Sequence, residues 1–96
     1  MERIGNSIPR ILKELGLEKE AMAEELRKKW PEVLGKRLAK GTEVLRLRGK
    51  TLIVGVEDAA RRAFLASHRA DVLEKLREFG FKGIEEIKFV KERMRK

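Results

Sequence analysis

The sequence predicts an α+β fold: a three-stranded sheet with helices packed on one face, in the order α-α-β-β-α-β, within a single domain over residues 1–96. Three observations carry this expectation. Residues 42–48 and 51–56 alternate in strand fashion on either side of Gly49-Lys50, a hairpin signature. The segments before and after that hairpin carry apolar residues at helical spacing. Residues 84–90 then alternate again, and the intervening helix prevents this third strand from joining the second by a tight turn. A lone hairpin is marginal in water, so its apolar face needs cover from the rest of the chain.

Asn6 or Ser7 can cap a first helix, with Pro9 tolerated in its first turn. Ile8, Ile11, Leu12 and Leu15 give it an apolar stripe, and Gly16 suits its end. A second helix is expected over residues 18–30, with Met22, Leu26 and Trp30 in line, supported by Ala23 and Val33. Pro31 removes a donor and disfavours helical geometry at Trp30. The chain is expected to kink there, or to start a short helix through Val33, Leu34 and Leu38 that Gly41 stops. Trp30 continues the apolar stripe and reads as core.

Glycine at the first loop position predicts a type II′ turn at Gly49-Lys50. Pairing around it sets Leu47 against Leu52, Leu45 against Val54 and Glu43 against Val56. Val44, Arg46, Arg48, Thr51, Ile53 and Gly55 take the other face. Leu45, Leu47, Leu52 and Val54 are expected to pack on Leu65, Val72 and Leu76, because a one-residue slip would turn Arg46 and Arg48 inward. Glu57 and Asp58 open a long third helix, expected to run to about Phe79, with Phe64 and Leu73 at the margins of its stripe. Residues 80–83 form a turn. In the third strand Ile87 and Phe89 point inward, with Glu86 and Lys88 outward. Residues 91–96, four of them basic, are expected to fray.

Composition narrows the function classes. The chain has no Cys, which excludes disulfides and thiolate chemistry. No apolar run approaches the roughly 20 residues of a membrane span, so no membrane partner is expected and the location expected is cytoplasmic. Lys, Arg and Glu abound, with one Asn and no Gln, a balance common in thermophile proteins. His68 is the only imidazole. Ser67 beside it points roughly 100° away on a helix, and Glu85 and Glu86 face opposite sides of a strand. No catalytic, metal-binding or cofactor-binding residue is assigned, no cofactor is expected, and the protein is read as no enzyme.

The net charge of +8 favours a polyanion partner. Arg46 and Arg48 lie on the outer hairpin face with Lys50 at its tip. Lys36, Arg37 and Lys40 precede it, and Arg61 and Arg62 lie in the first turns of the third helix. These eight are the candidate nucleic-acid contacts. Two accounts of Arg61 and Arg62 stay open: an anion at the helix N-terminus, or pairing with Glu57 or Asp58. Gly80-Phe81-Lys82-Gly83 matches the GxxG loop with which KH domains clamp a nucleic-acid backbone. That loop joins two helices in KH domains and a helix to a strand here, so it is read as a cap and turn with Phe81 tucked under.

Taken in order, Trp30-x-x-Val33-x-Gly35, Leu38-Ala39, Thr42, Gly49-x-x-Leu52-x-Val54-x-Val56, Val72-Leu73-x-x-Leu76 and Ile84-x-x-Ile87-x-Phe89 form a pattern that resembles the DciA family of bacterial proteins over about residues 6–90. The resemblance implies a KH-like domain that binds the DnaB-type replicative helicase, helps load it on DNA, and has affinity for DNA. The chain departs from the family pattern at Gly41, where a His is usual, and at Ala59, Ala60 and Arg61, where a Trp is common. Many members also carry a basic or disordered extension, of which this sequence shows little. The reading is a replication accessory protein that contacts helicase and DNA through a basic, non-catalytic surface. The alternatives are a KH-like RNA-binding or ribosome-associated module, and a protein–protein adaptor whose charge serves solubility.

Overall fold

The first helix traced, α1 (Glu18–Leu34), buries Ala23, Leu26, Trp30 and Val33 along the expected stripe. The computed structural model describes residues 18–92, so the helix expected within residues 6–16 lies outside the described residues. The expected break at Pro31 does not occur. Pro31 sits inside α1 on its exposed side, and the helix continues to Leu34. Its missing donor removes one helical bond, while Trp30 and Val33 on either side are held in the core. The break comes instead at Gly35 (φ +88°), and α2 (Lys36–Ala39) follows as a single turn.

The hairpin consists of β1 (Thr42–Arg48) and β2 (Thr51–Val56). Gly49 has φ +61° and no described non-glycine residue has a positive φ, as a type II′ turn requires. Leu47 pairs with Leu52 and Arg48 with Thr51. Beyond Arg46 the register shifts: Val44 pairs with Val54, Glu43 with Gly55 and Thr42 with Val56. The expected pairs Leu45–Val54 and Glu43–Val56 therefore do not form. Leu45 is the extra residue of a β-bulge. Val44, 1% exposed, takes its place in the core, and Leu45 stays half-buried with its Cδ1 near Gly55.

Two contacts explain the bulge. Arg27 Nε donates to Val44 O (2.9 Å) and Arg27 Nη2 to Leu45 O (2.9 Å), so one guanidinium satisfies both carbonyls of the irregular step. Glu24 Oε1 accepts from Arg27 Nη1 at 2.6 Å. The shift also places Thr42, not Glu43, opposite Val56 on the core face. Thr42 Oγ1 accepts from Trp30 Nε1 (2.8 Å) and donates to Ala39 O (2.6 Å). A buried indole N–H gains a partner, and the Glu43 carboxylate stays exposed.

Asp58 caps α3 (Ala59–Ser67), its Oδ2 accepting from Arg61 N–H at 3.0 Å. The helix expected to run on to Phe79 is broken at His68 (φ −109°, ψ 24°), and α4 (Arg69–Glu78) begins after it. Ser67 Oγ donates back to Ala63 O (3.0 Å) and Phe64 O (3.1 Å), a bond that competes with the helical ladder and bends it. His68 N–H is shared between Phe64 O (3.2 Å) and Leu65 O (3.1 Å). Leu65, Val72 and Leu76 still share the core.

Gly80 N–H donates to Arg77 O (3.0 Å) and Phe81 N–H to Leu76 O (2.9 Å), the paired bonds of a Schellman cap. Phe81 is buried beside Leu76, as expected of a helix cap. The last strand, β3 (Glu86–Lys91), starts two residues later than expected, with Ile84 buried ahead of it. Lys91 is not frayed: it pairs with Val56, and Glu92 N–H donates to Val56 O at 3.1 Å. Residues 93–96 lie outside the described chain. The sheet order is β1-β2-β3, with β2 and β3 parallel. The described helices contribute their apolar faces to one core against Val44, Leu52, Val54, Val56 and Ile87.

Trp30→Ala should lower unfolding stability by about 3–5 kcal/mol, the range for a large core residue, measured by denaturant titration. Arg27→Met keeps the aliphatic stem and removes the guanidinium. It should cost about 1.5–3 kcal/mol, the range for hydrogen bonds to a charged group, and should speed amide exchange in β1.

Candidate nucleic-acid interface

Alternation along the strands leaves Arg46, Arg48, Thr51, Ile53, Glu86 and Lys88 on the sheet face opposite the core. Register then sets them in rows. Arg46 pairs with Ile53, and Ile53 with Lys88. Two strand spacings place the Arg46 and Lys88 backbones about 10 Å apart. Ile53 between them is 7% exposed, while both cations are exposed. Long basic side chains lay their stems along such apolar surface and keep their charge in water. The next row is Arg48, Thr51 and Glu86, with Thr51 Oγ1 3.0 Å from Glu86 Oε1. Lys50 at the tip reaches Glu85 Oε2 at 3.3 Å, an exposed pair that holds it only weakly.

Lys88 is the member of this surface that sequence reasoning did not assign. Strand alternation already put it outward. Only the parallel register of β2 and β3 brings it level with Arg46.

The remaining candidates gather at the other end of the hairpin. Lys36, Arg37 and Lys40 are exposed on and just after α2, and Arg61 and Arg62 are half-buried in the first turn of α3. Arg61 Nη1 donates to Lys40 O at 2.6 Å, which ties this corner together. Its side chain does not pair with Glu57 or Asp58, and Asp58 already takes the Arg61 backbone N–H that an anion would use. The guanidinium also lies against Gly41: a Cβ there would sit 2.8 Å from Nη1. Between the two basic groups stand two acids. Glu43 is exposed opposite Gly55, and Glu92 crosses Gly55, where an added Cβ would meet its Cβ at 2.6 Å. The eight candidates therefore form two basic groups rather than one.

Ser67 and His68 are engaged separately with helix carbonyls. His68 Nδ1, protonated in the tautomer this contact requires, donates to Phe64 O at 2.9 Å, and its ring stacks on Phe64. Among the described residues the outer sheet face carries cations without an aromatic residue, an arrangement suited to phosphate contact rather than base stacking.

The family model described as "Dna[CI] antecedent, DciA" matches residues 3–89. No curated protein matches the chain. No helix among the described residues is long and apolar enough to cross a membrane.

Gly41→Ala should destabilise the protein by roughly 1–3 kcal/mol, because φ is +80° there and the added methyl meets Arg61. In an Arg61→Ala background the loss should shrink by at least about 0.5 kcal/mol, the signature of two groups in contact. Thermal unfolding of the four proteins of the cycle reads this directly.

Proposed function

Because the chain belongs to the DciA family, whose role is helicase loading in DNA replication, we propose that it is a non-catalytic accessory protein that binds the DnaB-type helicase and DNA. The DNA contact falls on the turn half of the outer sheet face. The observation that carries this is the row formed by Arg46 and Lys88 around the buried Ile53, with Arg48 and Lys50 beside it. Lys36, Arg37, Lys40, Arg61 and Arg62 form a second contact region beyond Glu43.

The mechanism is electrostatic. Each Lys or Arg that neutralises a phosphate releases a condensed counterion, so affinity falls with salt and carries little sequence preference. Such contact holds a strand without reading it, which suits a protein that delivers a helicase wherever replication starts. Arg46 and Arg48 extend from a sheet whose other face is core, so the charges are presented on a rigid surface. The Arg61 guanidinium lies against Gly41 at this corner. The guanidinium at this corner is oriented by the Lys40 carbonyl and keeps further N–H groups for a phosphate. A replication role accords with a cytoplasmic location.

Arg46→Gln with Arg48→Gln should flatten log affinity against log salt by roughly 1.4 units on single strands and 1.8 on duplex. Adding Lys88→Gln should remove roughly 0.7 to 0.9 more. Lys19→Gln with Lys28→Gln, on exposed positions of α1, controls for net charge alone. Equal loss in both double variants would mean a diffuse field and no defined site. No loss in either would leave a protein adaptor as the function. Competition among equal-length single-stranded DNA, RNA and duplex assigns the polymer.

A further inference from the structure

Helix α2 buries none of its side chains, with Leu38 and Ala39 only half-buried. It is a single turn between two glycines at positive φ, Gly35 (+88°) and Gly41 (+80°). One turn of helix does not hold itself together in water. Lys36, Arg37 and Lys40 also repel one another, and no carboxylate among the described residues lies within ion-pair distance of them. Something other than burial therefore fixes this element. The fixing groups are three successive carbonyls. Ala39 O accepts from Thr42 Oγ1 at 2.6 Å, Lys40 O from Arg61 Nη1 at 2.6 Å, and Gly41 O from Glu57 N–H at 3.0 Å. The donors belong to β1, to α3 and to the chain just after β2. Thr42 is anchored in its turn on α1, because its Oγ1 accepts from Trp30 Nε1 at 2.8 Å and Trp30 is core.

We propose that Thr42 is a positioning residue for DNA binding: it ties α2 to the core so that Lys36, Arg37 and Lys40 are presented in one fixed arrangement. This rests on the reading of α2 as part of the second DNA contact region. A hydroxyl has one proton, and Ala39 O takes it, so Thr42 has no donor left for a phosphate oxygen. Its effect runs through the carbonyl of the turn that carries the three cations. Charges held in place before binding lose little freedom when a phosphate arrives. The same charges on a loose turn would have to be ordered at that moment, backbone and long side chains together. Loss of Thr42 thus weakens binding without removing a phosphate contact. The salt slope counts contacts made in the complex, so it stays unchanged.

The test uses the full chain and titrates labelled single-stranded DNA over a range of salt, at a temperature where circular dichroism shows every variant folded. Thr42→Val should weaken binding about fivefold and keep the salt slope of the parent. Thr42→Ala, carried in parallel in case Thr42→Val does not fold, should give the same pattern. Thr42→Ser keeps the hydroxyl and should restore affinity to within about twofold. The same substitutions are then made in a background of Lys36→Gln, Arg37→Gln and Lys40→Gln. There Thr42→Val and Thr42→Ala should have no further effect, because the residue acts through those charges. Unchanged affinity in Thr42→Val and Thr42→Ala overturns the proposal, as does failure of Thr42→Ser to restore it. Equal loss in the two backgrounds also overturns it, since that is what a purely structural role gives. If the three Gln substitutions alone leave affinity and slope unchanged, α2 is no contact region and the proposal falls with that part of the reading. The hairpin face is then judged separately, by the Arg46 and Arg48 variants.

Discussion

The guanidinium of Arg27 on the carbonyls of Val44 and Leu45 is the constraint on which the rest of the structure depends. A strand has two faces and a period of two, so one extra residue exchanges the faces for everything on one side of it. Toward the turn, Arg46, Leu47 and Arg48 keep the parity of an ideal hairpin. Toward α2, parity reverses, and Thr42 takes the core position that Glu43 would otherwise occupy. That exchange keeps a carboxylate out of the core, where its desolvation would be costly. It also gives the Trp30 indole its acceptor. Helix α1, the α2 turn and β1 are joined through this one irregularity.

The helical layer is shaped by two interruptions. Gly35 turns the chain away after α1, and His68 divides the segment between the parallel strands. Neither break costs the core its stripe, since Val33, Leu65, Val72 and Leu76 remain buried. What the breaks change is the surface. A groove lined by Val33, Leu34, Leu38, Phe64, Leu65 and Val72 lies between them, with Phe64 exposed. The core and the groove are therefore consequences of the same packing.

The outer sheet face shows how far a charge pattern can be read from a chain. Arg46 and Arg48 were legible as outward-facing because alternation near a two-residue turn leaves no choice of register. The grouping was not legible. Eight basic residues on a hairpin and its flanks read as one surface, yet Glu43 and Glu92 stand between two clusters. Lys88 joins the first cluster only through a parallel pairing 35 residues distant along the chain.

By itself the sequence determined the α+β class, the element order, the turn at Gly49-Lys50, the burial of Trp30, the cap at Phe81 and the family. These follow from local rules: helical and strand periods, the freedom of glycine at a turn, and a long run of apolar and glycine positions in order. Tertiary structure decided the bulge at Leu45, the passage of α1 through Pro31, the break at His68 and the row of Arg46 with Lys88. Each depends on a partner remote in sequence or on a local competition that periodicity does not register. Arg27 must reach the β1 carbonyls, Trp30 and Val33 must be held in one core, and Ser67 must draw carbonyls from the helical ladder. Local periodicity sees one segment at a time, and these outcomes are set where segments meet.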